Sequence, residues 1–461
     1  MAISIPIALI YSENTIFHLI ISSLISLITG LTAWYFSRKA KKEIGKKESY
    51  LIVSLGWIIF SIFGAIPFYI SGAIPSITNA FFETISGFTT TGASILNDIE
   101  AMPYSLLFWR SMIQWLGGMG IIVLSVAILP ILGIGGMQLL VAEVPGLKPD
   151  KLHPRIKETA KRLWIIYVFF TVVEAILLKF GGMSLFDAIN HSLTTMATGG
   201  YSTKQAGIGH WDSPFIQYVI TVFMIIAGTN FTLSYFALYF KFKKVFKNEE
   251  FRYYIGFILG FTIIITFSLF AFESLSFEQS FRYSIFQVVS MITTTGFATV
   301  DYLQWTPFLY FLLFVLMFFG GSSGSTGGGM KIVRILLVLK NSYLELKRLI
   351  HPNAIIPVRF NHQVVPQKII SNVLAFIVFY IVIFVIGTIV MSALGLDFDS
   401  SMGATAAALG NIGPGIGSVG PAENFYHIPA FGKWFLSFLM LLGRLELFTI
   451  LIILSPSFWK K

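Results

Sequence analysis

Cysteine is missing from all 461 residues, which excludes disulfides, thiolate metal sites and cysteine nucleophiles. Charge is scarce as well. Asp, Glu, Lys and Arg make up 12% of the chain, about half of the roughly 25% found in ordinary soluble domains. A chain of this length with so little charge cannot cover a water-facing surface, so a soluble globular enzyme is excluded. An intramembrane enzyme would need clustered His, Asp, Glu or Ser/Lys within spans, and no HExxH-type pair occurs. A GxGxxG nucleotide site is also lacking, because the glycine-dense run at 320–329 follows no strand. No loop is long enough to form a nucleotide-binding domain of its own.

Hydrophobic residues fill the space that charge leaves. They make up 55% of the sequence, with 46 Phe and a mean hydropathy of +0.78. A helix crosses a bilayer in about 20 apolar residues. The stretches that qualify are 15–36, 51–70, 105–132, 163–180, 214–240, 254–272, 306–319 running on past a glycine-rich break, 369–396 and 428–454. Residues 1–11 are apolar but too short to span. They read as the end of a helix rather than a cleaved signal peptide, since no basic segment precedes the apolar stretch.

The net charge is +10 and the positive residues are sorted. Six Lys or Arg fall in 38–47, six in 148–162, five in 241–252, seven in 331–368 and two at the C-terminus, which accounts for 26 of 32. Such loops face the cytoplasm in a membrane protein, so the excess charge marks topology rather than nucleic-acid binding. The same runs would also suit an acidic cytosolic partner. The opposite loops carry Asp98, Glu100, Asp212, Glu273, Glu278, Asp301, Asp397, Asp399 and Glu423, and are assigned to the outside.

Between consecutive basic loops the chain must leave and return, and it does so with one pattern four times. A long apolar span is followed by a short amphipathic stretch ending in Thr/Gly, then by another span. The short stretches are 81–92, 189–200, 285–296 and 402–413. Their last four residues are Thr89, Thr90, Thr91, Gly92; Ala197, Thr198, Gly199, Gly200; Thr293, Thr294, Thr295, Gly296; and Gly410, Asn411, Ile412, Gly413. About three helical turns cannot cross a bilayer, so each stretch reads as a re-entrant pore helix followed by an extended loop. A dehydrated K⁺ needs oxygens in place of its water shell, and backbone carbonyls from four loops around one axis can supply them. Successive carbonyls face inward only where some residues take φ > 0, which glycine does cheaply. Threonine adds a hydroxyl at the inner end, and pore-helix C-termini aimed at the centre favour a cation. One Thr-Thr-Thr-Gly alone would be a turn or a packing site. Four in register, each between two spans, point to an ion filter.

At these residues the sequence resembles the Trk/Ktr/HKT superfamily of cation transporters, and most closely its TrkH-type potassium uptake subunits. The resemblance extends to QWLGGMGIIVL from Gln114, to 320–329, to HPNA from His351 and to GRLELF from Gly443. It implies an all-α polytopic membrane protein of the bacterial inner membrane, with four span–pore helix–span repeats around a pseudo-fourfold pore and an N-terminal extra helix or helices. Residues 15–36 match the second of these extra helices and 1–11 only the end of the first. The expected organisation is 1–47 as the N-terminal segment, then pore repeats 48–150, 151–250, 251–352 and 353–461. The sixteen loop residues named above would form the K⁺ filter, and glycine in all four final columns resembles the K⁺-selective pattern. The resemblance further implies a homodimer and a TrkA-like cytosolic ring that binds NAD(H) or adenine nucleotides. This chain would itself carry no organic cofactor. Proton- or sodium-coupled K⁺ symport through the same pore is the alternative.

Two features read as a gate. Gly320, Gly321, Ser322, Ser323, Gly324, Ser325, Thr326, Gly327, Gly328 and Gly329 interrupt a span. Six glycines, each costing about 1 kcal/mol in a helix, exclude helical structure there. Irregular backbone at membrane depth must be protein-buried or line a cavity, and the resemblance favours a movable constriction below the filter. Arg444 lies well inside an apolar span, where insertion costs about 3 kcal/mol, so it must find acceptors inside the protein. Carbonyls freed by the 320–329 loop are the natural partners and Glu446 the other candidate. Arg444 is expected to latch the gate and to add a positive barrier. Glu83, His191, Gln287 and Ala404 share one column of the pore helices and read as hydrogen-bonding residues rather than a proton relay. Lys331 and Arg334 read as anchors at the cytoplasmic face, with contact to a regulatory partner as the sharper alternative, and Trp115 and Trp164 as packing or interface residues.

Overall fold

The structure, a computed structural model, describes residues 1–39, 45–127, 152–273 and 275–460. The repeat boundary expected at 150/151, the end of the span expected over 105–132, and parts of the basic clusters 38–47 and 148–162 lie outside the described residues.

A short helix, Ile5–Ile10, and a long one, Ile16–Ser37, precede the repeats. Each repeat then runs outer helix, pore helix, extended loop, inner helix. The outer helices are Lys46–Ile70, Leu152–Phe180, Glu249–Phe272 and Gln367–Ala393. With the N-terminal long helix these hold the five single helices that, among the described residues, are long and apolar enough to cross a bilayer. The pore helices are Ile77–Phe88, Leu185–Met196, Phe277–Ile292 and Phe398–Gly410. At 1.5 Å per residue they are about 18–24 Å long, well short of the roughly 30 Å hydrocarbon core. They start earlier than the Thr/Gly motifs alone suggested, because each begins on a side-chain cap. Ser76 accepts from the Asn79 N–H, Ser184 from Asp187, Ser276 from Gln279 and Asp397 from Ser400. Each cap satisfies one of the donors that a helix start leaves open.

The inner helices depart from the expectation of continuous spans. Tyr104–Ala127 is unbroken, but Pro214–Gly228 and Phe231–Leu238 meet at 114°, and Ala430–Arg444 and Phe448–Leu454 at 119°. The first bend comes where Asn230 leaves the helix and caps the next one, accepting from the Thr232 N–H at 2.8 Å. The second follows Arg444, where Glu446 takes φ 58°. The third inner helix, Pro307–Leu316, stops before the glycine run, and the chain resumes as Ile332–Ile350. One element was not foreseen: a hairpin pairing Arg359–Phe360 with Gln363–Val364. Its two turn residues, Asn361 and His362, have φ of 47° and 66°, the signs a two-residue turn needs to follow strand twist.

Candidate functional site

The four Thr/Gly loops share one backbone pattern. The second residue of each is left-handed, with φ of 52° at Thr90, 52° at Thr198, 59° at Thr294 and 54° at Asn411. The fourth is a glycine with φ of 82° at Gly92, 73° at Gly200, 78° at Gly296 and 102° at Gly413. The glycines also mark where the loops meet. A Cβ on Gly92 would strike the Gly199 carbonyl oxygen, one on Gly200 that of Thr295, and one on Gly296 that of Ile412. A Cβ on Gly413 would lie 2.9 Å from the Thr91 oxygen. Each loop therefore abuts the third-column carbonyl of the next, and the fourth returns to the first. This is a closed ring, which only loops gathered around one axis can form. The pore helices end at the ring, so their partially negative C-termini converge there.

Buried hydrogen bonds hold the loops from behind. The Thr89 hydroxyl donates to Ile85 O at 2.6 Å and is 2.8 Å from that of Thr91. Thr293 does the same with Val289 O at 2.7 Å and Thr295 at 2.8 Å. These first-column hydroxyls thus bond back onto their own pore helices, and Ala197 and Gly410 have none to offer. Gln114 clamps the second loop, donating to Gly199 O at 2.6 Å and accepting from the Tyr201 N–H at 3.1 Å. Asn411 donates to Thr91 Oγ1 at 3.0 Å and to Met440 O at 2.8 Å, tying the fourth loop to the first and to its own inner helix.

The aligned pore-helix column serves the same end. Glu83 accepts from Ser94 Oγ at 3.1 Å and from the Ile95 N–H at 2.9 Å, His191 Nε2 shares a bond with Ser202 Oγ at 3.0 Å, and Gln287 donates to Thr299 Oγ1 at 3.4 Å. Each reaches the chain just beyond its own loop. In the fourth repeat Ala404 has nothing to donate, and backbone packing replaces the bond: a Cβ on Gly403 would run into Ile416. Glu83 also forms a buried ion pair with Arg110 at 2.6 Å, and Arg110 lies 3.5 Å above the Tyr201 ring. On the acidic loops, Lys204 donates to Glu100 at 3.0 Å, which lowers the pKa of the Glu100 carboxyl and raises that of the Lys204 ammonium.

The 320–329 loop lies against the inner end of this ring. Gly328 N–H donates to Thr294 Oγ1 at 2.6 Å. The Thr326 hydroxyl donates to Met196 O at 3.1 Å. A Cβ on Gly327 would sit 2.9 Å from Thr293 O, and one on Gly328 would strike Gly410 O. The bend in the second inner helix grips the other edge of the loop. Gly228 O accepts from the Ser322 N–H at 2.8 Å, Asn230 Nδ2 donates to Ser323 O at 2.7 Å, and Phe231 N–H donates to Gly324 O at 3.2 Å. The break frees the Gly228 carbonyl and the Phe231 N–H, and the loop bonds to both.

Arg444 is 3% exposed. It donates to Thr326 O at 2.7 Å and to Gly117 O at 3.2 Å, joining the loop to the first inner helix. Glu446 pairs with Arg334 instead. Lys331 differs from the expected surface anchor. It is buried, has φ 66°, and donates to Gly327 O inside the glycine run. Arg334 is buried as well, over the Phe376 ring at 4.1 Å. Trp115 packs between the first two repeats, stacked on Tyr167 and bonded to Thr171 Oγ1 at 3.1 Å, while Trp164 is exposed.

Sequence reasoning missed Gln114, Asn230 and Asn411 as clamps. Gln114 and Asn411 stood inside quoted motifs, and the signal was an amide in an otherwise apolar or glycine-rich neighbourhood. The column of helix caps was legible too, as Ser or Asp at 76, 184, 276 and 397.

Known proteins place this arrangement. The TrkH family, described as cation transport protein, matches residues 15–461. The Trk system potassium uptake protein TrkH of Escherichia coli (strain K12) is 44% identical over 459 residues, covering 99% of this chain and 95% of that protein. TrkG of the same organism is 35% identical, covering 98% and 94%. The crystal structure of the potassium transporter TrkH from Vibrio parahaemolyticus superposes with a TM-score of 0.91 at 39% identity, covering all of this chain and 96% of that one. On sequence over nearly its whole length, and on fold, the chain is an integral membrane protein that belongs to the TrkH family of cation transport proteins.

Proposed function

We propose that this chain takes up K⁺ across the bacterial inner membrane, through a filter formed by the four loops ending at Gly92, Gly200, Gly296 and Gly413. The observation that carries this reading is the closed ring in which each terminal glycine abuts the neighbouring loop's third carbonyl. A ring of backbone oxygens with no carboxylate selects a weakly hydrated monovalent ion rather than a divalent one. The relatives named as potassium uptake proteins point to the same cargo. The 320–329 loop closes the pathway below the ring and Arg444 latches it. Repeats 48–150, 151–250, 251–352 and 353–461 surround the pore, with the acidic loops outside and the basic loops in the cytoplasm. Two such chains form a dimer, and a TrkA-like cytosolic ring binding NAD(H) or adenine nucleotides controls the gate from the basic side.

The test is ⁸⁶Rb⁺ uptake into liposomes holding the purified chain, competed by K⁺, Na⁺, Cs⁺ and Li⁺, with and without a pH gradient. K⁺ should compete and Na⁺ and Li⁺ should not. Flux that needs an imposed proton or sodium gradient would assign coupled symport instead. Absence of alkali-metal uptake under every condition would overturn the proposal.

A further inference from the structure

Two adjacent carboxylates at the start of the third outer helix face in different directions. Asn248 caps this helix, and Glu249 and Glu250 occupy its first turn, where the helix dipole favours negative charge. Glu250 is 5% exposed, and its Oε1 accepts from the Ser323 N–H, inside the glycine run, at 2.6 Å. Glu249 faces the hairpin. Its Oε2 accepts from the Asn361 N–H at 2.9 Å, and its own N–H donates to Asn361 Oδ1 at 2.8 Å. Lys340, on the helix that follows the glycine run, donates to Glu249 and to Arg359 O at 2.9 Å. The reciprocal pair with Asn361 holds a turn in which two successive non-glycine residues have positive φ.

We propose that Glu250 is a positioning residue of the gate loop, and that with Glu249 it forms a rigid joint coupling the position of Ser323 to the hairpin at 359–364. The inference rests on reading 320–329 as a gate. Thr294, Met196, Ala227, Gly228, Asn230, Phe231 and Arg444, which also hold the loop, belong to the pore helices and the inner helices around the ring. The Glu250 tether leads outward, through one peptide unit, to a hairpin at the basic end. A displacement of that hairpin, or of Lys340, is thereby delivered to Ser323 without passing through the filter.

The absence of cysteine gives a direct test. In the full-length chain in liposomes, Ser325→Cys places a thiol in the loop at a buried position, and its modification by a charged thiol reagent from the basic side reports loop opening. Loss of a bond to a charged acceptor shifts an equilibrium roughly ten- to a hundredfold. Glu250→Ala should raise the modification rate by that factor, Glu250→Gln, which keeps an acceptor oxygen but no charge, by less, and Asn361→Ala in the same direction. Arg444→Ala serves as the test of the gate itself. A raised rate in Arg444→Ala with an unchanged rate in Glu250→Ala overturns the positioning role and leaves the gate standing. An unchanged rate in both overturns the gate, and the positioning role with it. A raised rate in Glu250→Ala beside an unchanged one in Asn361→Ala refutes the coupling to the hairpin. If Glu250→Ala does not yield folded protein, Glu250→Gln carries the test, and a rate equal to the parent's overturns the proposal.

Discussion

Replacing Arg444 by alanine separates gating from stability. The guanidinium makes two bonds to backbone carbonyls, one at 2.7 Å to Thr326 and one at 3.2 Å to Gly117. A hydrogen bond to a charged group contributes about 1.5–3 kcal/mol, and the longer contact falls near the bottom of that range. Together they hold the loop to the first inner helix by about 3 kcal/mol. That corresponds to roughly two decades in the ratio of closed to open loops. Alanine also leaves the Thr326 carbonyl buried without its donor, which acts in the same direction. Overall stability should respond differently. Burying an arginine at membrane depth costs about 3 kcal/mol on insertion scales, and alanine removes that cost together with the bonds. The expected result is a rise in ⁸⁶Rb⁺ flux of up to a hundredfold, limited by the fully open pore, with little change in the unfolding temperature of the purified protein. Arg444→Lys should fall between, because a compact ammonium cannot span both carbonyls as the planar fork does. Parental flux in Arg444→Ala, in liposomes containing no other protein, would refute the latch and with it the assignment of the loop as the closed barrier.

The other predictions concern the ring and its supports. Gly296→Ala forces a side chain into left-handed backbone at about 1–2 kcal/mol and drives it into the Ile412 carbonyl; flux should vanish while the protein still purifies as a folded membrane protein. Gln114→Ala orphans Gly199 O and the Tyr201 N–H, at about 1–3 kcal/mol each. The second loop should loosen, visible as new competition by Na⁺ in the uptake assay before total flux falls. Glu83→Ala leaves Arg110 buried and unpaired, which costs about 3–5 kcal/mol, and the double variant with Arg110→Ala should recover part of the lost thermal stability. Glu13 accepts from the Tyr104 N–H at 2.5 Å and the Ser105 N–H at 3.2 Å and so caps the first inner helix from the N-terminal segment; Glu13→Ala should lower thermal stability by about 0.5–2 kcal/mol and leave ion selectivity unchanged.

The sequence made the membrane class, the repeat and the loop positions legible because each leaves a local mark: a run of apolar residues, a sorted charge, or a glycine where backbone must turn left-handed. The bends at 229–230 and 445–447 were not legible. Polar residues mark both places (Thr229 and Asn230, Arg444 and Glu446), but they do not say that the helix turns there; the chain stops being helical because another part of the molecule supplies bonds to Ala227, Gly228 and Arg444. The local bonds of the inner-end threonines were not legible either: the Thr89 and Thr293 hydroxyls share the Ile85 and Val289 carbonyls with their own backbone N–H groups, and composition does not reveal such a bond. Arg444 was placed correctly because burying a lone charge in lipid leaves so few alternatives. Lys331 was not, since a basic residue at the edge of a span usually faces water.

The closed ring of unlike loops has a consequence for assembly. Four identical subunits would each bring a copy of the glycine run beneath the same axis, and four copies would compete for one space. Encoding all quarters in a single polypeptide lets one quarter place its glycine run against the ring, while two of the others surrender helical continuity to hold it. A nearly symmetric ring thereby carries one asymmetric segment beneath it, which four identical chains could not arrange.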